Sequence, residues 1–178
     1  MAATADTTGL VIPHGSWRVD PGRSEVTFSL RHLFVMPVRG RFTEFEGSLA
    51  VERDGSAVAS GSVRAASVET GDAKRDERLR EADFFDAEHC PLIRLYGGTA
   101  TPLEGSRLRV TGDLEIRGLR QTVELIARPG EIGGERAELT LHGQLSRGAF
   151  GIESEQLLDA GISDRVDVVL KLCLVRAD

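Results

Sequence analysis

Apolar residues recur at every second position through most of this chain. From Ser24 to Arg31, Val26, Phe28 and Leu30 alternate with Glu25, Thr27, Ser29 and Arg31, which predicts a strand with one buried face. A second strand is expected over about Val38 to Val51, where Phe45, Gly47, Leu49 and Val51 share a phase that Phe42 breaks, placing a bulge or bend near Thr43. Asp54-Gly55 then signals a turn. The third strand, about Ala57 to Val68, carries only small apolar side chains such as Val58, Ala59, Val63 and Ala65. Leu92 to Thr101 reads as a fourth. The fifth is the clearest, with Leu108, Val110, Gly112, Leu114 and Ile116 set against Arg107, Arg109, Thr111, Asp113 and Glu115. Arg117-Gly118 turns into a sixth at Gln121 to Arg128, and Gly133-Gly134 into a seventh, where Ala137, Leu139, Leu141, Gly143 and Leu145 share a face. A loop from Ser146 to Asp164 precedes the eighth, Arg165 to Arg176. Ahead of them all, Trp17 and Val19 lead into a turn at Asp20-Pro21-Gly22, and residues 1–16 are expected to form a flexible arm.

Only between Ser67 and Pro91 does the alternation stop for long. Gly71 and Asp72 can open a helix there, charged residues fill its turns, and Leu79, Phe84 and Phe85 supply an apolar surface. The pattern therefore predicts an all-β fold of eight antiparallel strands with a short helical insertion between the third and fourth, which would act as a plug or lid. Such strands close as a barrel, although a two-sheet sandwich gives similar alternation. Gly47, Gly112 and Gly143 sit in the apolar phase of long strands. They either leave interior space or let coiled strands bend.

Length sets one domain, a barrel over 17–178, since no linker divides the 178 residues. Twenty glycines and 5% aromatic residues suit a turn-rich β protein. The net charge of −6 argues against nucleic acid as a partner. The N-terminus has no basic start or apolar run of a signal peptide, and no transmembrane segment is evident, so a cytoplasmic location is expected. Cys90 and Cys173 are then expected as buried free thiols.

The ordered motifs resemble the YceI-like, polyisoprenoid-binding family over Trp17 to Leu174. They include Trp17, Val19, Asp20 and Pro21; Ser24, Val26, Phe28 and Arg31-His32-Leu33; and Gly40-x-Phe42-x-x-Phe45-x-Gly47. The most specific run is Ser67, Thr70-Gly71, Arg75-Asp76, Leu79-Arg80, Asp83-Phe84-Phe85-Asp86 and Pro91. Later come Gly112-x-Leu114-x-Ile116-x-Gly118, Arg147, Phe150-Gly151 and Asp164-x-Val166-x-Val168-x-Leu170-x-Leu172. Where the family often carries histidine before the residues matched by Ser24 and Leu79, this chain has Arg23 and Arg78. The resemblance implies a lipocalin-like barrel whose apolar tunnel holds a long isoprenoid, such as an isoprenoid-quinone tail, in a carrier, storage or sequestration protein without a reaction of its own.

A polyprenyl chain makes no hydrogen bonds, so its site should be an apolar channel. The inward phase offers Phe28, Leu30, Leu49, Val63 and Leu95 from the first half of the chain, and Leu108, Val110, Leu114, Leu139, Leu141, Val168 and Leu170 from the second. Each of these would also serve as packed core. Phe42, Phe45, Leu79, Phe84 and Phe85 are candidates for the mouth. For a head group the candidates are Ser67, Thr70, Arg75, Asp76 and Arg147, although Arg75 and Asp76 can instead tie the insertion to nearby loops by ion pairs. No cofactor, metal or catalytic constellation is expected, because the four histidines lack ligand spacing and His89-Cys90 would point apart on an extended chain. Two other readings remain open: an enzyme for a lipophilic substrate using His32 or Cys90 near the mouth, and an interaction scaffold with a solid interior. Lipid carriers of this shape can also pair as a homodimer.

Overall fold

The structure, a computed structural model, describes residues 12–33, 35–153 and 161–177. Its strands are β1 (Gly15–Val19), β2 (Glu25–His32), β3 (Met36–Phe42), β4 (Phe45–Val51), β5 (Ala57–Arg64) and the two-residue β6 (Val68–Glu69). One helix, α1 (Ala73–Leu79), follows. Then come β7 (Leu92–Pro102), β8 (Leu108–Ile116), β9 (Leu119–Ile132), β10 (Arg136–Ser146) and β11 (Arg165–Arg176). All the pairings are antiparallel, and β1, β4, β5, β7, β8, β9, β10 and β11 form a ring of eight that the β1–β11 pairing closes. The fold is thus a closed barrel rather than a sandwich.

The ring members differ from the eight strands expected. Gly15–Val19 is itself a barrel strand, with Trp17 opposite Arg176 on one side and Leu49 on the other. The stretch from Val38 to Val51 is two strands, broken at the expected place, where the Thr43 N–H donates to the Ser67 carbonyl at 3.2 Å. β2 lies outside the closed ring. It pairs with residues 167–171 of β11, while β1 takes residues 174–176 of the same strand, so β11 carries two partners end to end. Between them the chain bends at Asp20, whose carboxylate accepts from the Gly22 N–H at 3.0 Å, and the Ser24 hydroxyl accepts the Cys173 N–H that neither strand reaches. β2, β3 and β6 then form a leaf attached to the barrel along β11. The end of the expected third strand is likewise separate, split from β5 by a 3-10 turn at Ala65–Ser67.

Of the arm expected over 1–16, residues 1–11 lie outside the described residues, and Ile12 onward belongs to the folded barrel. Ile12 packs with Trp17, Val51, Ala57, Ala137 and Leu174 in a cluster that fills one end. A second cluster, around Phe42, Ala65, Val68, Ile93, Ile116 and Phe150, fills the other, and Leu79, Phe85 and Ala87 from the helical interval pack onto it. The interval therefore caps that end.

Within the interval, helix occupies only Ala73–Leu79. Asp72 starts it as N-cap, accepting from the Lys74 and Arg75 N–H groups at 3.0 and 3.2 Å. The Leu79 carbonyl is taken by the Phe85 N–H at 3.0 Å and the Arg80 carbonyl by that of Ala87, which folds the chain back as turns. Those turns place Phe84 and Phe85 against the barrel.

The inward glycines hold neighbours as well as space. A β-carbon at Gly143 would collide with the Leu125 side chain, and one at Gly40 with the Phe28 ring directly opposite it. At Gly112 it would lie 3.0 Å from both the Gly98 Cα and the Tyr96 carbonyl oxygen. One bend falls at Gly97, whose φ of +58° suits glycine and sits where β7 slips register against β8.

Candidate functional site

Between the two end clusters the barrel encloses a cavity of about 590 Å³, within the range of about 300–1,000 Å³ common for small-molecule sites. The inward residues named above as channel candidates all border it. The β2–β3 leaf contributes Phe28, Leu30 and Phe42; β4 gives Phe45 and Leu49, β5 gives Val63 and β7 gives Leu95. Leu108, Val110 and Leu114 come from β8, Leu139 and Leu141 from β10, and Val168 and Leu170 from β11. Leu79, Phe84 and Phe85 close the capped end. A solid-packed scaffold is excluded by this cavity. The sequence reading missed Val123 and Leu125 of β9, whose alternation was legible, and Phe150, Ile152 and Ile162, whose loop has no period to read.

Three rings link the leaf to the cap. Phe28 and Phe42 stand 5.6 Å apart between centroids, and Phe42 meets Phe85 edge-on at 5.6 Å. Phe84 is covered by the Arg78 guanidinium, 5.1 Å above its ring. Arg78 also pairs with Glu81 and with Asp83, the latter at 2.6 Å.

Polar residues border the cavity at this end as well as along β2, β4 and β5. Thr70, Arg75 and Arg147 border it, as does Arg78. Arg75 donates from Nε to the Thr70 hydroxyl at 2.8 Å and from Nη2 to the Thr70 carbonyl at 3.0 Å. Asp76 accepts from the same residue, from its N–H at 2.8 Å and its hydroxyl at 2.6 Å. Arg75 and Asp76 therefore bind Thr70 between them rather than reaching separate loops. Asp76 and Ser67 do not border the cavity. The Ser67 hydroxyl instead donates to the Arg64 carbonyl at 2.7 Å and accepts from the Glu44 N–H at 3.1 Å, fixing the β3–β4 corner. Glu46 also borders the cavity, but its carboxylate accepts from Ser62 on the outer surface.

Arg147 is the most buried of these cations, 7% exposed. Its guanidinium donates to the carbonyls of Ser163 at 3.1 Å, Ile152 at 2.7 Å and Ile162 at 3.1 Å, pinning both arms of the loop before β11. Beside it the Asp164 carboxyl is held below its ordinary value by the Ser146 hydroxyl, then by the Gly148 N–H and the Arg147 charge.

His32 and Cys90 do not border the cavity. Both cysteines are free thiols, and Cys90 is only partly buried rather than buried as expected, whereas Cys173 lies in the wall. His89 bonds Asp86 at 2.8 Å, which raises its pKa. Among the described residues no three His, Cys, Asp or Glu side chains gather as a metal site, and no helix is long and apolar enough to cross a membrane.

Closed ring, apolar interior and capped ends define a barrel of the class that encloses its contents instead of packing solid. The chain belongs to the YceI-like domain family, which matches residues 17–174. Protein YceI of Escherichia coli O157:H7 is 28% identical over 155 residues, covering 83% of this chain and 78% of that protein. Burkholderia cenocepacia BcnA superposes with a TM-score of 0.80 at 23% identity, over 87% of this chain and 98% of that one. A polyisoprenoid binding domain from Saccharophagus degradans, implicated in plant cell wall breakdown, gives 0.69 at 17% identity, over 92% and 100% of the two chains. These two likenesses concern the fold.

Proposed function

We propose that this protein binds a long-chain polyisoprenoid, or an isoprenoid quinone of similar shape, with its tail in the barrel and its polar end beside Thr70, Arg75 and Arg147. The observation that carries this reading is the apolar lining of the cavity: aliphatic and aromatic walls run along its length, and Arg75, Arg78 and Arg147 border it. Each five-carbon unit buried there would contribute about 4 kcal/mol gross, at about 0.8 kcal/mol per methylene-sized group. A tail alone can therefore supply the affinity, and the arginines orient it. The polyisoprenoid binding domain of Saccharophagus degradans, which shares the fold, supports the same ligand class.

The protein acts on this reading as a carrier, store or sequestering protein, without catalysis. We place it in the cytoplasm, where the two free thiols stay reduced. Organic extraction of the purified protein and mass spectrometry test the reading directly. Extracts should contain a polyprenyl lipid in near-stoichiometric amount. Added polyprenol at a hundredfold excess over Kd should stabilise the lipid-free protein by about 2.7 kcal/mol. Empty extracts together with an unmoved melting temperature would overturn it.

A further inference from the structure

We propose that the β2–β3 turn, through its described residues Leu33 and Val35 and the adjoining Met36, docks on a lipid bilayer with anionic headgroups, bringing the capped end of the cavity against it. Five large apolar side chains are exposed among the described residues, and three of them, Leu33 (54%), Val35 (77%) and Met36 (60%), stand together on this one turn. The other two, Val58 and Leu119, lie on separate strands. A patch of this kind at a projecting tip is what an interface between water and hydrocarbon accommodates, and water alone does not.

Charge selects the partner. From Arg31 to Arg41 the chain carries three arginines and a histidine and no carboxylate, in a protein whose net charge is −6. Arg31, Arg39 and Arg41 are exposed, and they share the face of the leaf opposite to cavity-lining Leu30 and Val38. Arg41 is paired with Glu69 at 2.9 Å, whereas Arg31 and Arg39 form no ion pair among the described residues. Apolar tip and basic flank together match a headgroup layer of negative phosphates over acyl chains. An arginine beside such a surface contributes about fivefold in affinity. A second copy of the chain fits less well, because the free edge of β3 carries Pro37, which lacks an N–H, and repelling arginines.

The tip is also joined to the cavity. Leu30 and Val38 are paired across the leaf, and one step beyond them Arg31 faces Pro37 and His32 faces Met36. Behind the turn, the Leu33 N–H donates to the Gly161 carbonyl and the Ser163 N–H to the Arg31 carbonyl, both at 2.9 Å, and Ile162 between them lines the cavity. A docked tip therefore places the cavity's polar end next to the source of an insoluble ligand. This purpose rests on the lipid-binding reading, but docking itself is measured without any cargo.

The test is sedimentation of the full chain with vesicles of phosphatidylcholine alone and of phosphatidylcholine and phosphatidylglycerol in equal parts. Wild-type protein should bind the mixed vesicles, at least tenfold more tightly than neutral ones and less tightly as salt rises. Val35→Asp with Met36→Asp should abolish binding, and Arg31→Glu with Arg39→Glu should weaken it by more than tenfold. Val58→Asp, a change at an exposed apolar position elsewhere, should leave it intact. All five substituted residues are on the surface, and circular dichroism of each variant checks its fold. The proposal is overturned if wild type ignores the anionic vesicles, if the tip variant binds like wild type, or if the tip variant instead dissolves a dimer that forms without lipid. Vesicle binding by protein whose extracts hold no lipid and whose melting temperature is unmoved by added polyprenol would sink the cargo reading and leave docking standing, and the converse result would do the reverse.

Discussion

Replacing Arg147 by methionine removes the guanidinium while keeping an apolar stem of similar length. Three carbonyl oxygens, those of Ile152, Ile162 and Ser163, then lose their donor. A hydrogen bond involving a charged group contributes about 1.5–3 kcal/mol, so three of them set an upper bound of about 5–9 kcal/mol on that scale. The loop before β11 is only partly buried around 161–163, and its carbonyls can turn to water when released. The expected loss is accordingly near the lower limit for breaking a buried polar cluster, about 3 kcal/mol. Urea unfolding followed by far-ultraviolet circular dichroism measures it as a lowered midpoint at unchanged slope. Arg147→Lys should recover only part, because an ammonium cannot reach three diverging carbonyls as a planar fork does. A loss below about 1 kcal/mol for the methionine variant would refute the claim that this side chain holds the loop, and with it the reason for its burial.

Three further outcomes follow from the same geometry. Gly40→Val drives a branched side chain into the Phe28 ring and should cost about 1–3 kcal/mol in stability, read from thermal melts. Val110→Trp projects an indole into the open middle of the barrel, so extracted lipid should fall sharply while the melting temperature holds; equal lipid in mutant and wild type would count against the cavity as the site. His89 should titrate by NMR above the ordinary histidine value of about 6.5, and Asp86→Asn should bring it back. Since the folded value is the raised one, the pair favours the native state below the unfolded pKa and loses that contribution as pH rises through the folded pKa.

The walls of the cavity were legible in the sequence because each strand is buried on one face only, so Leu108, Val110 and Leu114 announce their orientation by alternation. Membership of the ring was not. Which strand closes a barrel depends on hydrogen-bond partners far away in sequence, and five-residue β1 has too short a pattern to outrank the longer β2, which ends up beside the ring. The Val38–Val51 run read as one strand because a corner at Thr43 changes direction without ending the apolar pattern. Polar candidates were harder still. Residue type identifies Asp76 and Ser67 as hydrogen-bonding groups but not whether they face a ligand or the backbone behind it, and here both bind protein. Arg147 touches carbonyls up to 16 residues away across a loop with no periodicity, which no local signal records.

Trp17, the only tryptophan in the chain, is 1% exposed in the end cluster opposite the cap, with the Arg176 guanidinium 4.9 Å from its ring. Its neighbours Ile12, Val19, Leu49 and Leu139 line the far end of the cavity. The barrel thus contains a single indole at the bottom of its bore, a built-in depth gauge. A polyprenyl lipid brominated at its terminal unit should quench this emission strongly and one brominated beside the head group hardly at all, and the chain length at which quenching first appears measures how many isoprene units the protein can swallow.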